Sequence, residues 1–395
     1  MVFIQNYEAN VRFKRIAQQL AASHSVRWVS GALLVAIVYF AFWPVPISPV
    51  AWDVSANAGY TGAHLANTRL SNLQKINIGS ESGPEHVAIG KDGKLYAAVA
   101  SGMILRMNLD GSEQSTFAKT GDCVLGFDFD AQGHLIAADE MRGLLSISPG
   151  GEITVLADKV AGQPIKFADA VAVAKNGKIY LSDASTRFAP KDWGGAFEAS
   201  VLDILEQSAT GRILEYEPAT KAIRVVARGL SFANGIALSA SERQIFVAET
   251  GKYRVWRIDV NASDLDVRTT SGMSGATHIV IPNLPGYPDN LMRGLPTKEG
   301  KPTLWVGLAK PRSPVVDSMA EKPFLRSVTL RLPRFLWPIP PRYGHVIAFT
   351  EDGTIVQDLQ DPTGAYPETT SVLETKDRLY VQSLHAPFVG WMKRP

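Results

Sequence analysis

Residues 169–181 read DAVAVAKNGKIYL: one apolar strand, a turn and a second apolar strand. The Asn176-Gly177 dipeptide between the strands is typical of a tight β-hairpin. The same register recurs in segments 85–92, 234–241 and 289–296, each of which leads through a turn into an apolar strand. Successive units are about 40 to 65 residues apart, the spacing expected for propeller blades. We count six units and predict an all-β, six-bladed propeller.

The four segments begin with residues that carry side-chain oxygens, namely Glu85, Asp169, Asn234 and Asp289. Equivalent positions in repeats arranged around an axis converge on that axis. A ring of carboxylate and amide oxygens is typical of a site for a hard cation, and Ca²⁺ is the cation we expect. Such an ion would either take part in catalysis or simply hold the blades together.

The composition excludes several function classes. The 395 residues carry a net charge of only +2, so nothing indicates nucleic-acid binding. The single cysteine, Cys123, rules out an internal disulfide and a cysteine zinc site. The sequence has no Gly-x-Ser-x-Gly elbow, no phosphate loop and no dinucleotide fingerprint. A serine hydrolase or a nucleotide-dependent enzyme is therefore not expected.

The N-terminal region predicts a membrane anchor. Residues 28–43 form an apolar run without charge, and basic residues precede it. This arrangement indicates a cytoplasmic tail over 1–25, a transmembrane signal anchor over 26–47, a linker over 48–70 and an extracytoplasmic (periplasmic or luminal) propeller over 71–395. The alternatives are a cleaved signal peptide, with a small-x-small site at residues 56–58, and a buried helix.

Two segments interrupt the repeats. Residues 189–210 form an insertion in the third unit, and residues 310–343 form a longer one in the fifth. The second insertion is aromatic and basic, and no acidic residue occurs between Glu321 and Glu351. It is interpreted as a lid on the propeller or as a patch that contacts anionic lipid, and the two are compatible.

Several short motifs carry a family resemblance. They are residues 232–239 (FANGIALS), 179–185 (IYLSDAS), 284–290 (LPGYPDN) and 383–388 (SLHAPF). Together these motifs resemble the strictosidine synthase-like family and its adipocyte plasma membrane-associated protein branch, over about residues 70–393. Gluconolactonases and paraoxonases are more distant relatives by the same logic. The resemblance implies a six-bladed propeller with a metal ion in its central channel.

The resemblance also implies roles for single residues. It assigns Glu85, Asn234 and Asp289 as calcium ligands, with Asn290 as a further ligand. The third-blade position, usually Asn in the family, is Asp169 here, which adds a ligand charge or supplies a proton acceptor.

Two ring positions carry no carboxylate. Leu125 and Thr369 are expected to fill them. A gap-free match puts Thr370 where strictosidine synthase has its catalytic Glu, which argues against amine–aldehyde condensation.

The resulting functional hypothesis is a calcium-dependent hydrolase that acts on a small-molecule ester or lactone. Asp289 or Asp169 would act as general base, and His385 is a candidate at the channel mouth. His86 is expected to face away from the channel, because it follows Glu85 on a strand. The alternatives are a non-catalytic receptor or scaffold, and a carbon–nitrogen bond-forming enzyme.

Overall fold

The computed structural model describes residues 2–270, 272 and 275–395; within the first helix, side chains are described only at positions 14, 15, 18, 19 and from 26 onward. This helix, α1, runs over Val2–Phe42. It therefore includes the predicted tail and stops short of residue 47, because Pro44 and Pro46 cannot continue a helix. Within the described residues, no helix is both long enough and apolar enough to cross a membrane.

Six antiparallel sheets form the blades of the propeller. Before blade 1 comes β1 Gln74–Asn77. Blade 1 contains β2 His86–Ile89, β3 Leu95–Ala98, β4 Met103–Met107 and β5 Ser115–Lys119. Blade 2 contains β6 Val124–Phe129, β7 Leu135–Asp139, β8 Gly143–Ile147 and β9 Ile153–Ala157. A two-stranded hairpin follows, made of β10 Lys159–Val160 and β11 Gln163–Pro164.

The remaining blades repeat this order. Blade 3 contains β12 Ala168–Val173, β13 Ile179–Asp183, β14 Gly211–Glu217 and β15 Ala222–Leu230. Blade 4 contains β16 Ala233–Leu238, β17 Gln244–Glu249, β18 Arg254–Asp259 and β20 Thr277–Ile281, while the short β19 Leu265–Asp266 pairs with blade 3. Blade 5 contains β21 Gly286–Arg293, β22 Thr303–Pro311, β23 Gly344–Thr350 and β24 Ile355–Asp361. Blade 6 contains β25 Thr369–Glu374, β26 Arg378–Ser383 and β27 Phe388–Lys393.

The last blade is closed by the start of the chain. Strand β1 pairs antiparallel with β27, with Gln74 opposite Trp391 and Asn77 opposite Phe388. Strand β1 thus supplies the outer strand of blade 6. Pairing the first strand with the last leaves the ring without an open seam.

The blades stack face to face, so their strands are buried on both faces. Strands β3, β7 and β13 are buried at every position. Apolar clusters lie between consecutive blades; one joins Tyr96 of blade 1 to Phe127 of blade 2. Sharp turns keep the hairpins short, and Gly177 adopts a φ of +89° that favours glycine.

Both insertions fold into short helices over one end of the propeller. The first contains α2 Pro190–Trp193 and α3 Ala196–Glu206, and the second contains α4 Pro314–Ser318 and α5 Pro323–Arg331. We call residues 190–206 and 314–340 the lid. An apolar cluster joins the lid to the blades and includes Leu125, Phe232 and Val316.

The segment after α1 is tied to the lid. The guanidinium of Arg331 donates to the backbone oxygens of Trp43 (2.7 Å) and Phe40 (2.9 Å) at the end of α1. Further along, the backbone N–H of Ser48 donates to Glu206 of α3 at 2.7 Å. The end of the helix and the lid are therefore held as one structural unit.

Candidate metal centre and active site

A β-bulge positions three of the predicted ligands, Asp169, Asn234 and Asp289, near the start of their inner strands. The pairing register shifts between Ala168 and Val171 in β12, between Ala233 and Ile236 in β16, and between Pro288 and Leu291 in β21. The shifts bracket Asp169, Asn234 and Asp289. Bulges bend a strand and redirect its side chains, so these three leave the blade interfaces and converge at the lidded end of the channel.

Several carboxylates lie together at this end of the channel. No basic side chain is among the groups that shift their pKa values. Burial raises the pKa of Glu85 well above its ordinary value, and the charges of Asp289 and Asp169 raise it further. Burial and the charge of Asp289 likewise raise the pKa of Asp169. Burial raises the pKa of Asp289 to about 7, although hydrogen bonds from the Asn290 N–H and the Asn234 side chain oppose the shift. Several carboxylates that destabilise one another's charge are typical of a cation site.

The two amide side chains fit the same ion. Asn290 Nδ2 donates to the backbone oxygens of Leu125 (3.4 Å) and Glu85 (3.5 Å), which orients its amide. The Oδ1 atoms of Asn290 and Asn234 are buried and have no hydrogen-bond donor. Buried oxygens without donors, next to repelling carboxylates, form the hard-oxygen ligand set that Ca²⁺ prefers. Glu85, Asp169, Asn234, Asp289 and Asn290 are thus brought together, and their chemistry fits calcium.

Among the described residues, one group of three His, Cys, Asp or Glu side chains has its ligand atoms all within 4.8 Å of one another, and it is His64, His345 and Asp358, outside the channel. The channel ligands are a different kind of set, because the amide oxygens of Asn234 and Asn290 belong to it beside the carboxylates.

Two expectations about the ring require correction. The bulge of β25 lies between Thr369 and Val372, so Thr370 is the ring residue, and its hydroxyl donates to the Glu85 backbone oxygen at 2.7 Å. Thr369 instead donates to the backbone oxygen of His345 at 2.7 Å. The gap-free sequence match to strictosidine synthase places Thr370 at the same position. Leu125 lies at the matching bulge of β6, as expected.

His86 does not face away from the channel. It is buried against Phe127, with ring centroids 4.7 Å apart, and it lines the cavity at the other end of the channel. Alternation along a strand does not predict the direction of His86, because the two faces of an inner strand pack on neighbouring blades, while its edge borders the channel.

A fourth acidic side chain was missed by the sequence analysis. Glu140 follows β7 and is buried, and its charge contributes to raising the pKa of Glu85 and of Asp169. Burial raises its own pKa to about 7. The signal was present, since Asp139-Glu140 ends a second strand of a blade at the lidded end. It was overlooked because only the first strands were compared.

His385 lies at the lidded end with partners that the sequence did not reveal. Its Nδ1 bonds to the Glu368 carboxylate, which also pairs with Lys310. Burial opposes ionisation of Glu368, but the bonds from His385 and Lys310 outweigh it and lower the pKa to about 2. Glu368 lies outside the strand with a φ of +55° and therefore does not occupy the ring position of Thr370.

An apolar pocket leads from the lid to the ring. Its volume is about 140 Å³, below the roughly 300–1,000 Å³ of pockets that hold drug-sized ligands, so it suits a small molecule. Its walls are apolar side chains of both insertions, among them Phe197, Val201, Val316, Trp337 and Ile339. Asn234 and Asp289 line the same pocket, as does Lys310. A ligand in this pocket would place an apolar group against the lid and a polar group against the ring.

Comparison with known proteins fixes the family. The strictosidine synthase family model matches residues 169–263, and the model for the N-terminal part of strictosidine synthase-like proteins matches residues 62–107. The strictosidine synthase-like 10 protein of Arabidopsis thaliana is 30% identical over 346 residues, which cover 80% of this chain and 86% of that protein. The chain belongs to the strictosidine synthase-like family. Adipocyte plasma membrane-associated protein of Salmo salar is 28% identical over 384 residues, covering 90% of this chain and 86% of that protein.

Solved structures show the same fold at lower identity. A gluconolactonase from Xanthomonas campestris superposes with a TM-score of 0.56 at 17% identity, covering 88% of this chain and 98% of that one. The calcium-binding protein regucalcin from Agrobacterium tumefaciens gives a TM-score of 0.51 at 12% identity, covering 78% and 85%. These likenesses support the six-bladed propeller.

Proposed function

We propose that the chain is a calcium-dependent hydrolase of small esters or lactones with an apolar substituent. The observation that carries this is the apolar pocket that ends at Asn234 and Asp289 of the oxygen ring. Calcium bound by the ring would polarise the substrate carbonyl and stabilise the oxyanion. Lactone hydrolysis by a structural neighbour, the gluconolactonase, is consistent with the same fold hosting this chemistry.

The chain's own residues supply the other requirements. Asp289 and Asp169 are the candidates to take a proton from the attacking water, because both border the ring and burial raises both pKa values. The Asn290 amide, oriented by two backbone oxygens, fixes the ligand geometry. The lid covers the pocket and limits the access of water to the reacting carbonyl.

The ring position in blade 6 favours hydrolysis over condensation. Its occupant, Thr370, uses its hydroxyl to donate to the Glu85 backbone oxygen. A hydroxyl bound in this way does not replace the carboxylate that the resemblance assigns to strictosidine synthase at this position. The presence of Thr370 therefore argues against the carbon–nitrogen bond-forming alternative.

We also propose that the protein is bound to a membrane through α1 and the lid. The last part of α1 exposes apolar side chains, including Trp28 and Phe42, and the lid exposes Phe335, Leu336 and Phe324. Exposed apolar surface of this extent is typical of membrane or partner contact. The basic residues before α1's apolar part favour a cytoplasmic N-terminus and an extracytoplasmic propeller. Protease added to spheroplasts should then digest the propeller; complete protection would contradict this orientation.

The direct test is turnover of phenyl acetate and of lactones with alkyl substituents of increasing length. We expect hydrolysis that requires calcium and that improves with the alkyl group, because the pocket wall is apolar. The Asp169→Asn variant keeps a ligand oxygen but cannot accept a proton at neutral pH. If it hydrolyses as fast as the parent, Asp169 is only a ligand and the base is Asp289. If no ester or lactone turns over, the receptor or scaffold alternative becomes the better one.

A further inference from the structure

A second cluster of ligating side chains lies outside the channel. His64 belongs to a short 3-10 turn before the propeller, while His345 and Asp358 come from the adjacent strands β23 and β24 of blade 5. His345 pairs in register with Gln360, so Asp358, two residues earlier, presents its side chain on the same face. The cluster joins the segment preceding the propeller to a blade.

Both imidazoles point at one oxygen. His64 Nδ1 lies 2.8 Å and His345 Nε2 lies 2.9 Å from Oδ2 of Asp358. The three ligand atoms all lie within 4.8 Å of one another. Tetrahedral zinc, with ligands at about 2.0–2.1 Å, separates neighbouring ligand atoms by about 3.3 Å. The two contacts would have to open by only about 0.5 Å to admit the ion.

The carboxylate is held so that Oδ2 stays available. Its other oxygen, Oδ1, accepts from Gln360 Nε2 and, at 3.4 Å, from Asn67 Nδ2. Such outer hydrogen bonds orient the ligands of metal sites. On His345, the contact with the carboxylate holds the proton on Nε2, and Nδ1 is buried without a hydrogen-bond partner. Binding of an ion at Nε2 therefore requires this proton to move to Nδ1.

We propose that His64, His345 and Asp358 bind one Zn²⁺ ion. Two imidazole nitrogens and one carboxylate oxygen are a borderline ligand set that suits zinc, whereas calcium requires an all-oxygen set. The side chain of His64 is 18% exposed, while those of His345 and Asp358 are buried. The ion therefore enters from the side of His64, where a water molecule completes its coordination.

Zinc at this position would fasten the segment before the propeller to blade 5. Hydrogen bonds already connect the two, from Gln360 Nε2 to the His64 backbone oxygen at 3.1 Å and from the Gln360 N–H to Asn67 Oδ1 at 3.0 Å. The ion adds a link that depends on metal supply. Because blade 5 also carries the longer lid insertion, zinc would hold the N-terminal segment in a fixed position relative to the lid. The site is separate from the channel and stands whether or not the protein hydrolyses esters.

The test uses the full chain in detergent, stripped of metal, resaturated with calcium to fill the channel and then titrated with Zn²⁺ alone. The His64→Gln variant retains a side-chain N–H that can reach Asp358 but loses the imidazole ligand. The matched control is His134→Gln, since His134 Nδ1 forms a comparable 2.8 Å bond to Asp130 elsewhere on the surface. Zinc affinity is measured by chelator competition, and coordination by the visible absorption of a Co²⁺-substituted sample.

We expect the parent and His134→Gln to bind one zinc ion more than His64→Gln, whose affinity at this site should fall at least about 100-fold. Zinc should raise the Tm of the parent and leave that of His64→Gln unchanged. An unchanged Tm of the calcium-loaded variant verifies that it is folded. Equal zinc binding and equal cobalt spectra in the parent and His64→Gln would overturn the proposal.

Discussion

The two ends of the central channel contrast in how their polar groups are satisfied. All six inner strands start at the lidded end, where Asn234 and Asp289 lie, and finish at an open end lined by Asp128, Lys175 and Arg293. The cavities differ in size, with about 140 Å³ at the lidded end and about 380 Å³ at the open end. Their chemistry differs because five of the six inner strands, all except β2, carry a bulge near their start, which lies at the lidded end.

At the open end the charged side chains have partners within the protein, although the buried Nδ1 of His86 has none. Asp128 accepts from the backbone N–H groups of Phe129 (2.7 Å) and Val173 (2.9 Å), and Lys175 pairs with Glu242 at 3.5 Å. At the lidded end, by contrast, carboxylates face one another and the Oδ1 atoms of Asn234 and Asn290 have no donors. The unsatisfied end is where binding of a cation yields the larger gain in stability.

The largest expected effect comes from removing a carboxylate at the lidded end. Asp289→Ala should abolish calcium retention and reduce ester or lactone hydrolysis by about 100-fold or more. Its Tm should be lower than that of the parent in calcium, and the difference should shrink in chelator, because the mutation also removes repulsion with Glu85. Isothermal titration measures calcium binding, turnover assays measure hydrolysis, and calorimetry measures the Tm. The control variant Asp128→Asn, at the open end, should retain calcium and activity. Equal losses in both variants would show that the two ends of the channel do not differ in this way.

An intermediate effect is expected from a substitution that displaces the bulged strand β21. A Cβ at Gly235 would lie 2.3 Å from the Leu291 nitrogen and 2.5 Å from the Asn290 Cα. Gly235→Ala should therefore push β21 outward, lower the free energy of unfolding by about 1–3 kcal/mol and weaken calcium binding. Denaturant titration measures the first change. Gly275→Ala, where nothing lies within 4 Å, is the control, and its stability should stay within about 0.5 kcal/mol of the parent.

The smallest effect concerns a carboxyl buried in the lid. Burial and the charge of Glu206 raise the pKa of Asp203 to about 7, while the nearby Ser185 hydroxyl and the charge of Arg187 oppose the shift. The unfolded chain releases this proton near pH 4 and the folded chain near pH 7, so this group lowers stability as pH rises between these values. Asp203→Asn should match the parent near pH 4 and exceed it increasingly in stability as the pH rises to 8. Exposed Asp192→Asn is the control; parallel pH curves for parent and Asp203→Asn would refute the assignment.

The sequence predicted the fold because each blade repeats one register of apolar strands and turns. It predicted the ligands Glu85, Asn234 and Asp289 as a converging set because repetition alone brings equivalent positions to the axis. Thr369 was wrongly assigned to the ring because side chains on a regular strand alternate with a period of two residues. A bulge adds one residue to the strand, and only the three-dimensional register shows where it lies. Glu140 was missed because it lies outside the first strands of the repeat. The contacts of Glu368 with His385 and Lys310 were not predicted, because a contact between distant segments leaves no local pattern.

The pairing of β1 with β27 has a consequence for synthesis of the protein. The edge of blade 6 stays open until the ribosome has released the C-terminal strand, because Gln74 needs Trp391 as its partner. Contacts between distant parts of a chain form slowly, and exposed strand edges can pair with other chains in the meantime. Ring closure is therefore expected to be the last step of folding, and C-terminal truncation to favour aggregation over partial activity.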